Sequence, residues 1–348
     1  MQIKLAIVAA WCAAALVPGA VNAQPVREAF TRANPSVVLI RTTARTPAAA
    51  PATDGTTGQS DGVGSGVLVS ADGKVVTAAH VVKTDATIEV SFLDGVPIEA
   101  TVVWMAPSAD LALLQLVRVP ANAVVARFGD SDRLETGDQV FTIGAPHGAT
   151  HSLAVGWISA RRQPSQVYED ATALEMLQTD LNVFGGNSGG PLFDLGGDVV
   201  GIVTHVLSQG GAGGGPSFSV AGNVVKRLLL DERRTWFGVE SYLLQGALAE
   251  ALNLPQPSGL LVQAVSPGSL AARLGLRGGS LPATVLDAPV LLGGDVLIEV
   301  MGVPVEASPS FMSGFLAALD KVRPGDTVAV RVWRGGRVVP LSATATAP

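Results

Sequence analysis

The sequence predicts a mainly β chain, an antiparallel barrel or sandwich followed by a smaller unit that mixes strands with a helix. Three observations carry that prediction. Short strand-forming runs recur at close spacing from residue 64 to about 225; 40 glycines punctuate the chain; and the best helical periodicity lies near the C-terminus. With 348 residues, 48% hydrophobic and 15% charged, the chain can fill two or three packed domains, and disorder is not the expectation. Only 5% of residues are aromatic, which alongside the glycine content favours turns between short strands over long helices.

The chain opens with Lys4, an apolar run from Leu5 to Val17, then Pro18-Gly19 and the small-x-small pattern Val21-Asn22-Ala23 before Gln24. Residues 1–23 therefore read as a cleavable signal peptide. The run is shorter than the ~20 residues that span a bilayer, so an uncleaved inner-membrane anchor is the alternative, and no later stretch reads as membrane-spanning. The single cysteine, Cys12, lies inside that segment, so the exported chain is expected to have no disulfide and to rely on its core. Bulky Trp11 before it argues against a lipid-attachment site. Cleavage removes one charge, Lys4, from a formal net charge of −6. A mildly acidic chain without a basic cluster argues against a nucleic-acid partner.

The first domain is placed at 24–232. It begins with a strand-like run, Ser36 to Arg41, and then a loop at 43–62 rich in Ala, Pro, Thr, Gly and Asp. Further β-type runs are Gly66 to Ser70, Lys74 to Thr77, Thr87 to Phe92, Ala100 to Trp104, Leu111 to Leu116, Gln139 to Ile143 and Asp198 to His205. A helix-compatible stretch, Asn223 to Arg234, leads into the second domain, 233–348. There the strand candidates are Gly238-Val239, Gly259 to Val262, Asp295 to Val300 and Thr327 to Val332. Between the last two, Phe311, Phe315, Leu319 and Val322 recur at helical spacing, with Ser310 as cap and Pro324-Gly325 as stop. An extra hairpin-like stretch occupies about 278–293.

The chemistry concentrates in Gly185-Gly186-Asn187-Ser188-Gly189-Gly190-Pro191-Leu192. A nucleophilic serine needs a tight turn that leaves its Oγ open and aims nearby amides at a developing oxyanion, and the glycines permit such a turn. The plainer reading is a Gly-rich turn with a solvent-facing serine. The same residues match the G-x-S-x-G elbow of α/β hydrolases, but that fold needs its histidine well after the serine, and only His205 follows. His80, in Val75-Val76-Thr77-Ala78-Ala79-His80, and Asp110, before Leu111-Ala112-Leu113-Leu114, each have an ordinary structural reading when taken singly. Together with Ser188 they stand in the order His, Asp, Ser at strand ends, which fits a chymotrypsin-type triad. His147 and His151 are four apart, but Gly148 stands where H-E-x-x-H needs its glutamate, so no metal and no other cofactor is expected.

These segments resemble the HtrA (DegP-like) family of serine proteases. The resemblance rests on Gly64-Ser65-Gly66-Val67 with Thr77 to Val82, Asp110 to Leu114, Ile143-Gly144-Ala145-Pro146, Thr179-Asp180 with Gly186 to Leu192, and Gly201-Ile202-Val203-Thr204. It implies a trypsin-like double six-stranded β-barrel followed by a PDZ domain, with the site between the barrels and a homotrimer or larger homo-oligomer. The oxyanion amides would be those of Gly186 and Ser188. Thr204, His205 and Val206 would pair with substrate as an added strand, and Val220 would help line a small aliphatic pocket. Phe184 and Gly185 depart from the usual Asn-Pro, and Ser217-Phe218-Ser219-Val220 departs from the usual Gly-Phe-Ala-Ile. The departures bear on the resting oxyanion loop and on the pocket shape.

Trp236-Phe237-Gly238-Val239 resembles the carboxylate loop of a bacterial PDZ domain, which implies C-terminal peptides as ligands. The expected function is an endopeptidase of the bacterial envelope, located in the periplasm. It would degrade unfolded or exported polypeptides after small aliphatic residues, with PDZ-mediated capture or regulation. The alternative is a chaperone or peptide-binding scaffold in which proteolysis is secondary or absent.

Overall fold

The computed structural model describes residues 24–44, 62–82, 86–162, 175–206, 215–231, 236–285, 288–308, 311, 314–315, 318–319 and 321–346. The expected signal segment 1–23, most of the expected loop, the domain boundary near 232 and the cap residue Ser310 lie outside the described residues.

Two closed six-stranded barrels follow one another in the chain. The first comprises β1 (Val37–Ala44), β2 (Gly62–Leu68), β3 (Lys74–Thr77), β4 (Ala86–Ser91), β5 (Pro97–Ala106) and β6 (Leu111–Leu116), in the spatial order β1-β2-β3-β6-β5-β4. The second comprises β7 (Gln139–Gly144), β8 (Ser152–Arg162), β9 (Met176–Thr179), β10 (Pro191–Phe193), β11 (Val199–Val206) and β12 (Ser217–Ala221), in the order β10-β11-β12-β9-β8-β7. Alternation drives closure: along β5, Ile98, Ala100, Val102 and Trp104 are buried while Glu99 and Thr101 face out. Closing each sheet on itself removes edges that would otherwise invite aggregation. Strand β1 runs through Thr43 to Ala44 and β2 starts at Gly62, so the expected loop at 43–62 was drawn too wide at both ends. These residues pair in the ladder, Thr42 with Gly62, and pairing across a long connection leaves no local signal.

Several elements went unread in the sequence, and two of them show why. Helix α1 (Gln24–Ala33) lays Ala29 and Ala33, one helical turn apart and both buried, with Phe30 against the second barrel's core. Its apolar stripe is too narrow to stand out in the sequence. Strand β8 alternates buried Gly156 and Ile158 with exposed Leu153, Val155 and Trp157, so its apolar residues occupy both faces and blur the period-2 pattern.

Short helix α2 (Gly222–Lys226) continues as one wide turn to Asp231. Beyond it, β13 (Val239–Gln245) follows, then α3 (Ala247–Ala251), β14 (Ser258–Val265), α4 (Leu270–Leu274), β15 (Leu281–Val285), β16 (Ala288–Leu292), β17 (Val296–Val300), β18 (Val303–Pro304), β19 (Thr327–Arg334) and β20 (Arg337–Thr344). The main sheet has the order β13-β14-β17-β19-β20. Its apolar face, including Val262, Leu297, Val330 and Val332, packs on α4 and on Phe311, Leu319 and Val322. Ser308 Oγ accepts from the Phe311 amide at 3.2 Å, a capping contact two residues before the one read from the sequence.

The β15–β16 hairpin docks on β14 through Gln263. Its Nε2 donates to the Leu291 carbonyl at 3.2 Å, and the Leu291 amide donates to its Oε1 at 2.6 Å. β13 pairs along the whole of β14, whereas β17 pairs only with Leu260 and Leu261. The hairpin therefore occupies the β14 edge that β17 leaves free and does not cover β13.

Candidate active site

His80 and Asp110 come together because their strands are neighbours. β3 and β6 pair Thr77 with Ala112, and each chain turns at that end of the barrel: residues Ala79–Val81 after β3, and Pro107–Ala109 before β6. The Asp110 backbone is left-handed, with φ 52°. Asp110 O accepts from the Ala79 amide at 3.1 Å, and its Oδ1 accepts from the His80 amide at 3.0 Å. The two turns are thus tied by one backbone bond and by one from the His80 amide to the Asp110 carboxylate, apart from the contact between the two side chains. His80 Nδ1 lies 2.9 Å from Asp110 Oδ1 and 2.8 Å from Oδ2. This hydrogen bond raises the imidazole pKa above its ordinary value; burial opposes the rise and the carboxylate charge supports it. The imidazole is half exposed.

Ser188 comes from the second barrel, in the tight turn between β9 and β10, and that turn is stitched to the first. Ser65 on β2 donates its amide to the Ser188 carbonyl at 2.9 Å and its hydroxyl to the Gly186 carbonyl at 2.7 Å. Thr77, on the strand leading to His80, donates to the Ser65 carbonyl at 2.7 Å. A Cβ on Gly189, whose φ is 80°, would run into Thr77 Oγ1 and the Ser65 carbonyl, so only glycine admits this approach. The seam between barrels accounts for Gly64-Ser65-Gly66 in the sequence, where Ser65 carried no assigned role. The motif was visible, but its partner lies more than a hundred residues away.

Around Ser188 the carbonyls are taken, while two of the amides are left open. Gly185 O accepts from the His147 amide at 2.8 Å, Gly186 O from Ser65 Oγ, Phe184 O from the Asn187 amide at 3.0 Å and Asn187 O from the Gly190 amide at 2.9 Å. Among the described residues, the amides of Gly186 and Ser188 have no protein acceptor. Gly186 has φ 102°, and a Cβ there would collide with the Ala145 carbonyl. The Ser188 hydroxyl donates to the Thr204 carbonyl at 3.4 Å, and among the described residues no hydrogen bond joins it to His80.

Thr204 is buried at an irregularity where β11 shifts register against β12, between Val203 and His205. His205 and Val206 follow on β11 and pair with Phe218 and Ser217; their side chains lie outside the described set. Val220 is 2% exposed and packed in the second barrel's core, while Ser217 on the same strand bonds its hydroxyl to that of Thr179. The two histidines weighed as a metal pair serve separate contacts. The His147 ring lies 5.7 Å from that of Phe184, and His151 Nδ1 is 2.7 Å from Asn34 Oδ1 at the end of α1, with burial pushing its imidazole pKa down. Among the described residues no three His, Cys, Asp or Glu side chains are grouped to hold a metal.

In the expected carboxylate loop, the side chain of Trp236 packs against the apolar clusters of both barrels, whereas that of Phe237 enters the core of the third sheet. The carbonyls of Trp236, Phe237 and Gly238 accept from the amides of Leu270 at 3.4 Å, Ala271 at 2.9 Å and Ser266 at 3.0 Å.

Two closed antiparallel barrels with a His-Asp pair on one and a serine turn on the other define a serine protease of the trypsin fold. Residues 64–202 match the trypsin-like peptidase domain. The chain is 35% identical over 283 residues to a probable periplasmic serine endoprotease DegP-like of Halomonas elongata, covering 79% of this chain and 54% of the relative. Against the protein of the same description from Ectopseudomonas mendocina, identity is 33% over 285 residues, covering 80% and 57%. The chain thus spans little more than half the length of these relatives. Among solved structures, a variant of the HtrA-type protease AlgW with a tripeptide is 30% identical, with 92% of this chain and 97% of that one covered and a TM-score of 0.51. AlgW with a decapeptide is 28% identical, with 92% and 98% covered and a TM-score of 0.51. The chain belongs to the HtrA/DegP-like family of serine proteases.

Proposed function

We propose that this protein is a periplasmic serine endopeptidase acting on unfolded polypeptides, with Ser188 as nucleophile, His80 as general base and acid, and Asp110 as orienting carboxylate. The observation that carries this reading is the convergence at the barrel seam of the His80–Asp110 pair with a serine turn whose Gly186 and Ser188 amides are unpaired. In the reaction, the Ser188 hydroxyl leaves the Thr204 carbonyl, turns to His80 Nε2 and attacks a peptide carbonyl. His80 takes the proton and returns it to the leaving amine, while Asp110 stabilises the imidazolium. The two free amides receive the oxyanion, a donor being worth roughly 3 kcal/mol in such sites.

Substrate would align along β11 at Thr204, His205 and Val206. No carboxylate occurs on β11 or β12 to attract Lys or Arg, which supports cleavage after small apolar residues. Val220 shapes that pocket from behind, through the core. The periplasmic location is drawn from the descriptions of the relatives and the apolar N-terminal segment; among the described residues no helix is long and apolar enough to cross a membrane. The third sheet is read as a PDZ domain. Three successive carbonyls held by amides of the Ser266–Ala271 segment leave the amides of Phe237, Gly238 and Val239 facing away from those contacts, where they can hold a C-terminal carboxylate.

The test is degradation of unfolded casein by the wild type and by Ser188→Ala. Loss of cleavage with retained casein binding supports the endopeptidase. Suppression of aggregation with no cleavage by either form would overturn it in favour of a chaperone.

A further inference from the structure

We propose that the ring pair His147–Phe184 is the latch that holds the oxyanion loop in its receptive form before substrate arrives, which makes both residues positioning residues for the reaction. The inference rests on the serine-hydrolase reading above and assigns it a device built from the two positions beside the nucleophile turn that have no other task.

The peptide joining Gly185 to Gly186 must face one way for the site to work. Its carbonyl and its N–H point in opposite directions because the peptide is trans. The carbonyl of Gly185 is held by the His147 amide at 2.8 Å, so the Gly186 N–H is turned away from His147, and it has no protein acceptor among the described residues. The neighbouring groups are tied, Gly186 O by the Ser65 hydroxyl at 2.7 Å and Phe184 O by the Asn187 amide at 3.0 Å, but these bonds close a turn whose central peptide can still face either way. A Cβ at Gly185 would meet nothing within 4 Å, and glycine on both sides leaves the backbone free to rotate. The restraint therefore comes from His147, and His147 is itself held in a costly conformation, with φ 50° in the left-handed region. Its ring lies against Phe184, centroids 5.7 Å apart and planes tilted by 38°. Phe184 is 40% exposed, and the imidazole of His147, also exposed, is the ring it lies against. Ring contact and amide bond close one small loop, Phe184-Gly185-His147, and each stabilises the other. Without the ring contact, His147 has less reason to stay left-handed, and the Gly185–Gly186 peptide is free to turn its N–H out of the cleft.

The experiment compares wild type with Phe184→Ala, Phe184→Tyr, His147→Gly and the combined Phe184→Ala/His147→Gly form. It uses initial rates on labelled casein, the labelling rate of Ser188 by a fluorophosphonate, and the melting midpoint. His147→Gly keeps the amide and tolerates the positive φ while removing the ring. The expected result is a fall of about threefold to tenfold in kcat and in labelling rate for both single variants, the range an aromatic pair supports. KM stays unchanged and the melting midpoint does not fall, Phe184→Tyr retains wild-type rates, and the combined form is no slower than either single variant. Wild-type kcat and labelling in both single variants would overturn the latch, as would fully additive losses or a loss in Phe184→Tyr equal to that in Phe184→Ala. A wild type that neither cleaves casein nor labels would instead overturn the hydrolase reading, and the latch with it.

Discussion

At the scale of single residues, the His80–Asp110 contact makes a prediction whose sign follows from its cause. The hydrogen bond to Asp110 raises the imidazole pKa, and the base must be neutral to accept the Ser188 proton. Activity is therefore expected to fall with acidification around a midpoint above the ordinary histidine value of about 6.5, measured as the acid limb of kcat/KM. Asp110→Asn removes the cause; the limb should move down and kcat drop by about three to four orders of magnitude, as in other triads of this type. The same pair has a stability consequence. With a folded pKa above the unfolded one, its contribution is complete below about pH 6.5 and is lost as pH rises through the raised value. A melting midpoint that rose through that window on account of His80, judged against His80→Ala, would contradict the assignment. The proposed triad, His80, Asp110 and Ser188, was legible in the sequence because nucleophilic catalysis restricts residue type and the surrounding glycines restrict shape. Ser65 and His147 were not, since each acts through a bond to a segment remote in sequence.

At the scale of elements, the third sheet carries two predictions. If the amides of Phe237, Gly238 and Val239 hold a carboxylate, a peptide with a free C-terminus should bind measurably by fluorescence anisotropy. The same peptide with an amidated end should bind at least tenfold more weakly, and equal affinity would remove the carboxylate role. The second concerns a buried ion pair. Arg334 on β19 donates to both oxygens of Asp295, each at 2.6 Å, and to the Gly275 carbonyl at 2.8 Å beyond the end of α4. Asp295 is 2% exposed and also accepts from the Arg277 amide at 2.8 Å. This pair joins α4, the base of the hairpin and β19, and it raises the Arg334 pKa, chiefly through the hydrogen bonds. Arg334→Ala would leave a buried carboxylate without its cation, at a cost of about 3–5 kcal/mol in chemical denaturation. Strand positions such as Thr327 to Val332 were visible from alternation alone. Their partner β20 was not, because its residues are half exposed on both faces and match no simple period.

At the scale of the whole molecule, the seam between barrels is both the structural joint and the site. Trp236 sits where the two barrels and the third sheet meet, packing on both barrel clusters while its neighbour Phe237 enters the third core. The outer face of β8 leaves Leu153, Val155 and Trp157 between 38% and 47% exposed, a row of apolar side chains that a homotrimer or larger homo-oligomer, as the family resemblance implies, would be expected to cover. Trp157→Glu is expected to shift the mass by light scattering from three chains toward one with the barrels still folded; an unchanged mass would exclude this face from the interface. The sequence by itself determined the fold class and singled out the three residues proposed to carry the chemistry, because turn geometry, strand alternation and nucleophile identity are local demands on residue type. Only the tertiary structure decided which carbonyls are occupied and which amides stay open, where Trp236 lodges, and that His147 stands behind the oxyanion loop. Those outcomes depend on contacts between segments far apart in the chain, formed only once each barrel closes and docks on the other.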